Sequence, residues 1–253
     1  MTREGGVHLE LYEKDWVRLP LEKAYNVREL GGYPAAGGQT AYHRFLRADD
    51  ISALTDRDVD FLLGYGVRTV LDLRSIGEVE RRPDRLAGLP SIEHIHIPFL
   101  GEEVADATAL DYNTQIVDLG TLYLELLDKK ETVKKLFAAI AAAPEGCILF
   151  HCSAGKDRTG VLAMLLLSLA GVDKQDCMTN YGQSYPNLTR NMELLSATVA
   201  GHSELYKLMY SLPESIAPCY EKLEREWGGP EGYLAACGLS PQEIDRVKNR
   251  LLA

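Results

Sequence analysis

Residues 147–167 read CILFHCSAGKDRTGVLAMLLL, and this stretch decides the fold. The short apolar run at residues 147–150 is β-prone and typical of a buried strand, whereas the longer run at residues 161–167 is typical of a buried helix. Cys152 therefore lies where a strand ends, on a loop that opens into a helix. Such a loop is suited to binding an anion, because free N–H groups and the helix dipole point into it.

The residues of this loop predict a nucleophile inside an anion site. A thiol at a helix N-terminus and beside cations is held as a thiolate. Arg158, six residues after Cys152, has a planar fork that can hold two oxygens of a phosphate. Gly155 permits the backbone angles of a tight loop, and Thr159 can hydrogen-bond the sulfur. Together they predict phosphoryl transfer through a cysteinyl-phosphate that water then hydrolyses.

Three other interpretations of the loop fit less well. A lone cysteine after a buried strand is usually an inert apolar side chain, but here His, Gly, Arg and Thr recur around it at a chemically meaningful spacing. A Walker nucleotide loop needs Gly where Phe150 stands and Ser or Thr where Asp157 stands. A rhodanese-type sulfur carrier has a shorter loop, which would put its arginine closer to Cys152 than Arg158 lies. Phosphate chemistry is the interpretation that remains.

At these residues the chain resembles the cysteine-based protein tyrosine phosphatase superfamily, whose signature is His-Cys, five residues, Arg, then Ser or Thr. The version at residues 151–160 is similar to a bacterial branch of tyrosine and lipid phosphatases related to the secreted mycobacterial and listerial enzymes. The resemblance covers residues 24–182. Three further blocks carry it: NVRELGGY at 26–33, LRAD at 46–49, and VLDLR at 70–74 followed by Glu78.

The resemblance implies a phosphatase acting on phosphotyrosine, with phosphoserine, phosphothreonine and phosphoinositides as further substrates and inorganic phosphate as product. A non-catalytic phosphate-binding module and a primarily phosphoinositide-directed enzyme stay open as alternatives. No cofactor or metal is expected, because Arg158 and the loop amides supply positive charge, and His94 and His96 have no third ligand grouped with them. His151 is expected to tune the thiolate and orient the loop. The loop residues expected to bind substrate are Ser153, Ala154, Gly155, Lys156 and Thr159.

No familiar motif marks the general acid. Many tyrosine phosphatases carry an acidic Asp beside Trp and Pro on a mobile loop well before the cysteine, but the tryptophans here, Trp16 and Trp227, lie elsewhere. We predict that Asp157 is the acid, as proposed for relatives that share Lys-Asp-Arg. Its alternative roles are pairing with a cation or capping the helix that follows. Asp111 and Asp118 lie at a plausible distance before the cysteine and remain alternatives for the acid.

Two further sets of charged residues are expected near the phosphate. Lys156 either points inward, where it can meet a second phosphate on an inositol ring, or points outward as a solvated lysine. Asp72 and Arg74 follow another predicted strand, and the carboxyl ends of parallel strands border the ligand crevice. We therefore predict that they contribute to substrate binding, with a local ion pair that holds their loop as the alternative.

The pattern of elements predicts an α/β fold with a mainly parallel central sheet and helices on both faces, similar to protein tyrosine phosphatases. A single domain over residues 1–253 is expected, with its core at 24–182 and a helical region at 183–253 in which Leu188–Tyr210 forms either a lid or ordinary packing. The expected elements are a hairpin-like start at 24–48, a helix capped by Thr55 and Asp58, strands at 67–73 and 92–97, one or two helices at 119–143 joined near 128–130, and a helix that starts at Ser240.

Composition bounds the class of protein. The 253 residues are 46% hydrophobic and 25% charged, which is ordinary for a globular enzyme that buries a full core. The net charge of −10 argues against nucleic-acid binding. Five cysteines without Cys-x-x-Cys pairing favour a reducing compartment. With no signal-like or membrane-spanning apolar segment in view, we expect a cytoplasmic protein without stable membrane insertion, and non-classical secretion stays open.

Overall fold

The computed structural model describes residues 12–100, 119–190 and 210–252. The strands in these ranges are β1 (Arg28–Glu29), β2 (Pro34–Ala35), β3 (Gly38–Gln39), β4 (Phe45–Ala48), β5 (Val67–Asp72), β6 (Glu93–His96) and β7 (Cys147–His151). The helices are α1 (Asp56–Gly64), α2 (Ile76–Arg81), α3 (Leu119–Asp128), α4 (Lys130–Ala142), α5 (Asp157–Leu169), α6 (Lys174–Gly182), α7 (Ser184–Leu188), α8 (Pro213–Trp227), α9 (Pro230–Ala236) and α10 (Pro241–Leu252).

The central sheet has the strand order β1-β4-β7-β5-β6. Strands β4, β7, β5 and β6 run parallel to one another, and β1 joins the edge antiparallel to β4. A hairpin of β2 and β3 lies between β1 and β4 in the chain, within the predicted hairpin-like start at residues 24–48, but it forms a two-stranded sheet of its own and does not extend the central sheet. The predicted α/β fold with a mainly parallel sheet is confirmed.

Alternate residues of the sheet pack into two cores on its opposite faces. Ile148 and Phe150 of β7 pack against helices α3, α4 and α5, whereas Leu149 packs with Leu46 and with Leu62 of α1. Every residue of β7 is buried, because a central parallel strand is covered on both faces. Helices therefore lie on both faces, as expected.

Helix α5, which follows the cysteine loop, is the centre of the larger core. All its residues from Arg158 to Leu169 are buried, which is the environment of a helix that is apolar on every side. Helices α3, α6, α8, α9 and α10 each contact it. Because this helix is enclosed, the loop at its N-terminus is held on a rigid support.

The helix starts predicted from capping residues are confirmed. Thr55 accepts a hydrogen bond from the Asp58 amide, and the Asp58 carboxylate accepts one from the Thr55 amide, so the two cap α1 reciprocally. Ser240 and Glu243 form the same arrangement at the start of α10. On that helix Ile244, Val247 and Leu251 are all buried. The break between α3 and α4 likewise falls at residue 129.

The carboxyl-terminal part is helical over the residues that the structure describes. Most of the segment proposed as a lid, residues 188–210, lies outside the described residues, so its role stays a prediction, as does the single-domain organisation. Over the described ranges, no helix combines the length and the apolar character needed to span a bilayer.

The parallel strands end at one edge of the sheet, and this edge gathers the chemically active residues. Cys152 follows β7, Asp49 follows β4, and Arg74 comes two residues after β5. His151, the last residue of β7, is in register with Asp72 of β5 on one side. The crevice predicted at the carboxyl ends of the strands is therefore where the cysteine loop lies.

Candidate active site

The cysteine loop runs from the end of β7 to the first turn of α5. Cys152 is 1% exposed, and Thr159 Oγ1 donates a hydrogen bond to its Sγ at 3.1 Å. This contact is the one predicted for Thr159, and a donor at this distance favours a negatively charged sulfur. Gly155 has a φ of +63°, and a Cβ added there would lie 2.4 Å from the Ala48 carbonyl oxygen. The loop therefore needs glycine at this position both for its backbone angles and for its close approach to β4.

Arg158 is held at the far end of the loop by Glu78 of α2. Arg158 Nη1 lies 2.7 Å from Glu78 Oε2, and Nη2 lies 3.0 Å from Oε1, so the pair is bidentate. The two contacts use two of the five guanidinium N–H donors, which leaves others to bind an oxyanion. Ser153 Oγ also donates to Glu78, so one carboxylate ties both ends of the loop together.

Each member of the Arg158–Glu78 pair shifts the pKa of the other towards its charged form. Burial raises the pKa of Glu78, but the hydrogen bond and charge of Arg158 outweigh it and bring that pKa down to about 2. Burial lowers the pKa of Arg158, but the Cys152 sulfur and then Glu78 raise it above its ordinary value. The guanidinium is therefore charged throughout the working pH range, and it faces the cysteine as a fixed cation.

Asp157 is the first residue of α5 and lies in a small network of hydroxyl groups. Tyr123 Oη of α3 donates to Asp157 Oδ1, and Tyr123 Oη is 2.6 Å from Tyr181 Oη. Because Tyr123 gives its proton to the carboxylate, Tyr181 is the donor of the second bond. Lys156 Nζ is 3.2 Å from the same Oδ1, which is the cation pairing considered as an alternative role. Acid catalysis by Asp157 stays a prediction, and the alternatives Asp111 and Asp118 lie outside the described residues.

Lys156 points into the protein. Its side chain is 3% exposed, and Nζ contacts both Asp157 and the carbonyl oxygen of Tyr210 at 3.4 Å. The outward, solvated orientation is therefore wrong, because the ammonium lies between the loop and the segment that precedes α8. Whether it meets a second phosphate of a substrate stays a prediction.

His151 belongs to a buried cluster that we call the histidine network, made of His151, Asp72, Arg74 and Asp84. His151 Nε2 lies 3.0 Å from Asp84 Oδ2 and 3.6 Å from Asp72 Oδ1. Burial lowers the pKa of His151, but the two carboxylates outweigh it and raise that pKa to about 9. His151 is therefore an imidazolium at neutral pH, directly before the nucleophile in the chain.

Asp72 and Arg74 form the local ion pair that the sequence left as the alternative. Arg74 Nη2 is 2.7 Å from Asp72 Oδ2 and 2.8 Å from Asp84 Oδ1, and Nη1 is 3.5 Å from Asp50. The Arg74 and Asp72 side chains are 1% and 0% exposed. The predicted role in substrate binding is corrected accordingly: both side chains are turned into the histidine network, because three carboxylates surround the guanidinium.

A model of the tyrosine phosphatase family matches residues 19–253. The chain belongs to the tyrosine phosphatase family. Its relatives include a tyrosine-protein phosphatase of Nostoc commune, 36% identical over 219 residues that cover 82% of this chain and 74% of the relative. The triple specificity protein phosphatase PtpB of Mycobacterium tuberculosis is 25% identical over 252 residues, which cover 83% of this chain and 91% of that protein. The predicted family and enzyme class are confirmed.

The expectation that no other potential metal ligand is grouped with His94 and His96 is wrong for His94. His94 Nε2 lies 2.6 Å from Asp84 Oδ2, and Asp72 is close enough that one atom from each of the three lies within 4.8 Å of the others. Carboxylates are thus grouped with His94 in space although none is near it in sequence. The cations Arg74 and His151 already balance these carboxylates, so the cluster is a charge network of the phosphatase core.

Sequence reasoning missed two residues that hold the site together. Glu78 belongs to one of the blocks that carry the family resemblance, but its pairing with Arg158 is not predictable from the sequence, because 80 residues separate the two. Its helix start was readable, since Ser75 and Glu78 form a capping box. Asp84 follows α2 in a loop without any motif, so no signal in the sequence points to its contact with His151.

Proposed function

We propose that this member of the tyrosine phosphatase family hydrolyses phosphotyrosine through a cysteinyl-phosphate on Cys152, without a metal. The observation that carries the proposal is the loop itself: a buried sulfur that accepts a hydrogen bond from Thr159, with the Arg158 fork fixed across the loop by Glu78. Arg158 and the loop amides provide the positive charge that a phosphoryl group needs as it transfers.

In the first step the Cys152 thiolate attacks phosphorus, the S–P bond forms, and the bond from phosphorus to the tyrosine oxygen breaks. The leaving oxygen takes a proton from the general acid, which we assign to Asp157. In the second step the Asp157 carboxylate takes a proton from water, the water oxygen attacks phosphorus, and the thiolate departs with inorganic phosphate as product. Thr159 is positioned to stabilise the departing sulfur by its hydrogen bond.

Turnover of para-nitrophenyl phosphate and of a phosphotyrosine peptide tests this proposal. Cys152→Ser should abolish turnover on both substrates while phosphate binding is retained. Cys237→Ser is the matched control, because that thiol is also buried but lies at the end of α9, and its activity should stay within about twofold of wild type. Near-wild-type turnover by Cys152→Ser would refute the covalent mechanism. Phosphate binding without any turnover by the parent protein would favour the non-catalytic module.

A phosphoinositide is the second substrate that we propose, and a broader range is in keeping with the triple specificity named for the mycobacterial relative. The supporting observation is Lys156, a buried cation two residues before Arg158. Lys156→Ala should reduce phosphoinositide turnover more than about tenfold, because a charge-assisted contact is lost, and leave nitrophenyl phosphate turnover within a few-fold. Equal losses on both substrates would assign Lys156 to the general phosphate cradle. The cytoplasmic location stays a prediction from the sequence.

A further inference from the structure

Two arginines on neighbouring strands are buried behind the cysteine loop. Arg28 of β1 and Arg47 of β4 are cross-strand partners in the antiparallel ladder, and their side chains are 3% and 0% exposed. We call these two residues the arginine pair. Like charges opposite each other in a sheet repel, and burying a charge without a counterion is unfavourable. Because burying two like charges side by side destabilises the fold, this pair is expected to have a function, which its contacts with the loop indicate.

The arginine pair has no carboxylate within ion-pair distance among residues 12–100, 119–190 and 210–252, and its partners there are neutral. Arg47 Nη1 donates to Asn180 Oδ1 at 2.6 Å, and Arg28 Nη2 donates to the Asn180 carbonyl at 2.8 Å. Ser184 Oγ accepts from both arginines, at 3.5 Å and 3.0 Å. The two positive charges are therefore solvated directly by dipoles, and the carboxylate of Asp49 acts on Arg28 only from beyond contact distance, where it opposes the lowering of that arginine's pKa by burial.

The loop itself is the other partner of the arginine pair. Arg47 Nη2 donates to the Gly155 carbonyl at 2.8 Å and to the Lys156 carbonyl at 3.4 Å. Asn26 Nδ2 donates to the carbonyls of Ala154 and Gly155 at 3.0 Å and 3.1 Å. Arg28 Nη1 in turn donates to the Asn26 side-chain oxygen, which fixes the amide with its NH₂ group towards the loop.

These contacts determine where the loop amides point. In a trans peptide the carbonyl oxygen and the next residue's N–H lie on opposite sides of the chain. Because the carbonyls of Ala154, Gly155 and Lys156 face Asn26 and Arg47, the N–H groups of the three following residues point the other way, into the loop. An oxyanion held between Cys152 and Arg158 is bound from that side.

We propose that Arg28 and Arg47 are positioning residues of the phosphate loop, Arg47 directly and Arg28 through Asn26, and that their positive charge, which no carboxylate pairs with at contact distance in the described residues, supports the Cys152 thiolate and the bound phosphate. This inference rests on the proposed phosphatase function and assigns a role to two family blocks, residues 26–33 and 46–49, that the mechanism does not use.

The electrostatics agree with this geometry. Burial lowers the pKa of Arg47 to about 10, while Tyr33, Cys152 and neighbouring tyrosines act in the opposite direction. Burial and then the charge on Arg47 lower the pKa of Arg28 below its ordinary value. With a pKa of about 10 the Arg47 guanidinium is charged at neutral pH, so a negative charge on the sulfur stabilises Arg47 and is stabilised by it.

Alkylation of Cys152 by iodoacetate, followed by mass spectrometry of the labelled peptide, tests the role without requiring turnover. All five thiols are buried, but burial raises the pKa of the other four, to about 12 for Cys177 and Cys219, so these four react slowly. Inorganic phosphate should protect Cys152. The two readouts are the alkylation rate at pH 6 and the phosphate concentration that halves this rate. If the parent protein does not hydrolyse nitrophenyl phosphate, the proposed function fails, whereas both readouts can still be measured.

Arg47→Gln removes the charge and shortens the donor group. We expect the half-protecting phosphate concentration to rise at least about tenfold and alkylation at pH 6 to slow at least about fivefold. Arg47→Lys keeps the charge without the fork, so alkylation should stay within about threefold while phosphate protection weakens. Arg250→Gln is the matched control, because Arg250 also donates to backbone carbonyls, those of Ala143 and Pro144 at the opposite end of β7. Its two readouts should stay within about twofold.

The same measurements on Arg28→Gln and Asn26→Ala test whether Arg28 acts through Asn26. If it does, the double variant should weaken phosphate protection no more than Asn26→Ala alone, since both changes break one chain of contacts. Additive losses would overturn that route. Phosphate protection within about threefold of the parent in Arg47→Gln overturns the proposal as a whole. Should Arg47→Gln not fold, Arg28→Gln decides by the same threefold limit.

Discussion

The two buried charge clusters beside the cysteine loop are built on opposite principles. In the histidine network, Arg74 and His151 contact the carboxylates of Asp72 and Asp84, and Arg74 also lies 3.5 Å from Asp50, so each cation of the cluster has carboxylate partners. In the arginine pair, Arg28 and Arg47 contact only amide, carbonyl and hydroxyl groups in the part of the chain that the structure describes. Charges paired at contact distance fix the geometry of their cluster, but their fields largely cancel at a distance. Charges without such a partner exert a field on the neighbouring loop.

The two clusters therefore differ in their effect on the loop: the histidine network holds its ends in place, and the arginine pair supplies positive charge to it. The histidine network anchors the carboxyl ends of β5 and β7, and Leu73 N donates to the His151 carbonyl at 2.9 Å within the same region. Of the arginine pair, Arg47 binds the middle of the loop at the carbonyls of Gly155 and Lys156. Arg28 contacts Asn26, which binds the carbonyls of Ala154 and Gly155. Removing a member of the histidine network should therefore lower mainly the stability of the protein. Removing positive charge from the arginine pair or from Arg158 should lower mainly turnover and anion affinity.

The largest effect is expected where a cation touches the phosphate itself. Arg158→Lys should lower kcat at least about a hundredfold, because an ammonium cannot reproduce a two-pronged contact, and the loss of one transition-state donor has this magnitude. The measurement is steady-state turnover of nitrophenyl phosphate. Arg57→Lys, at a side chain that is 86% exposed, is the control and should leave kcat unchanged within about twofold. A loss below about threefold in Arg158→Lys would make this arginine merely structural.

A smaller and substrate-dependent effect is expected for Asp157→Asn. Losing the acid should reduce turnover of alkyl phosphates at least about thirtyfold while nitrophenyl phosphate, whose leaving group departs without a proton, changes only a few-fold. The basic limb of the pH–rate profile should flatten at the same time. Asp173→Asn is the matched control, because Asp173 caps α6 without touching the loop, and it should show no such leaving-group pattern.

Two other variants decide the assignment of the acid. If Asp118→Asn or Asp111→Asn alone shows the leaving-group pattern, the assignment to Asp157 is refuted and an acid on a separate loop is restored. If none of the three shows it, the leaving group takes its proton from none of these aspartates, and the assignment to Asp157 is likewise refuted.

The sequence predicted the features that depend on local signals. The strand, loop and helix around Cys152 follow from two apolar runs of different length, and the caps of α1 and α10 follow from residues three apart. These elements form because their signals lie within a few residues of each other. The contact of Thr159 with the sulfur was predictable for the same reason, since both residues belong to one loop.

The partners that come from distant parts of the chain were not predictable. Arg158 meets Glu78 across 80 residues, and Arg47 meets Gly155 across 108. A charged residue in a short strand also reads as an edge residue facing solvent, whereas Arg47 is wholly buried. Only the packing of β4 against β7 brings these groups together, and spacing in a single sequence does not encode that packing.

Glu78 couples the loop to α2, and an intermediate effect is expected there. Glu78→Gln should lower kcat/KM about tenfold, because the neutral amide no longer fixes both Arg158 nitrogens and Ser153. Glu80→Gln, on the exposed side of the same helix, is the control and should stay within about twofold.

Burial and Arg158 together set the pKa of Glu78 at about 2, so its stabilising contribution is present above pH 4.5 and is lost as the pH falls towards 2. An unchanged kcat/KM in Glu78→Gln would mean that Arg158 is positioned by the loop alone.

The smallest effect on turnover, and the sharpest test of the comparison, is expected for Asp84→Asn. The folded-state pKa of His151 is about 9, above its ordinary 6.5, so the stability it contributes is complete below pH 6.5 and is lost as the pH rises through 9. Removing Asp84 should therefore lower the free energy of unfolding more at pH 6 than at pH 10, by a difference on the order of 1–2 kcal/mol, while kcat falls only a few-fold. Urea unfolding of wild type and variant at both pH values measures the difference.

Asp56→Asn, which removes an exposed ion pair with Arg85, is the control and should give the same small change in the free energy of unfolding at each pH. Equal destabilisation by Asp84→Asn at pH 6 and pH 10 would show that His151 is not a charged member of the network, and a hundredfold loss of kcat would show that this network charges the loop as the arginine pair does.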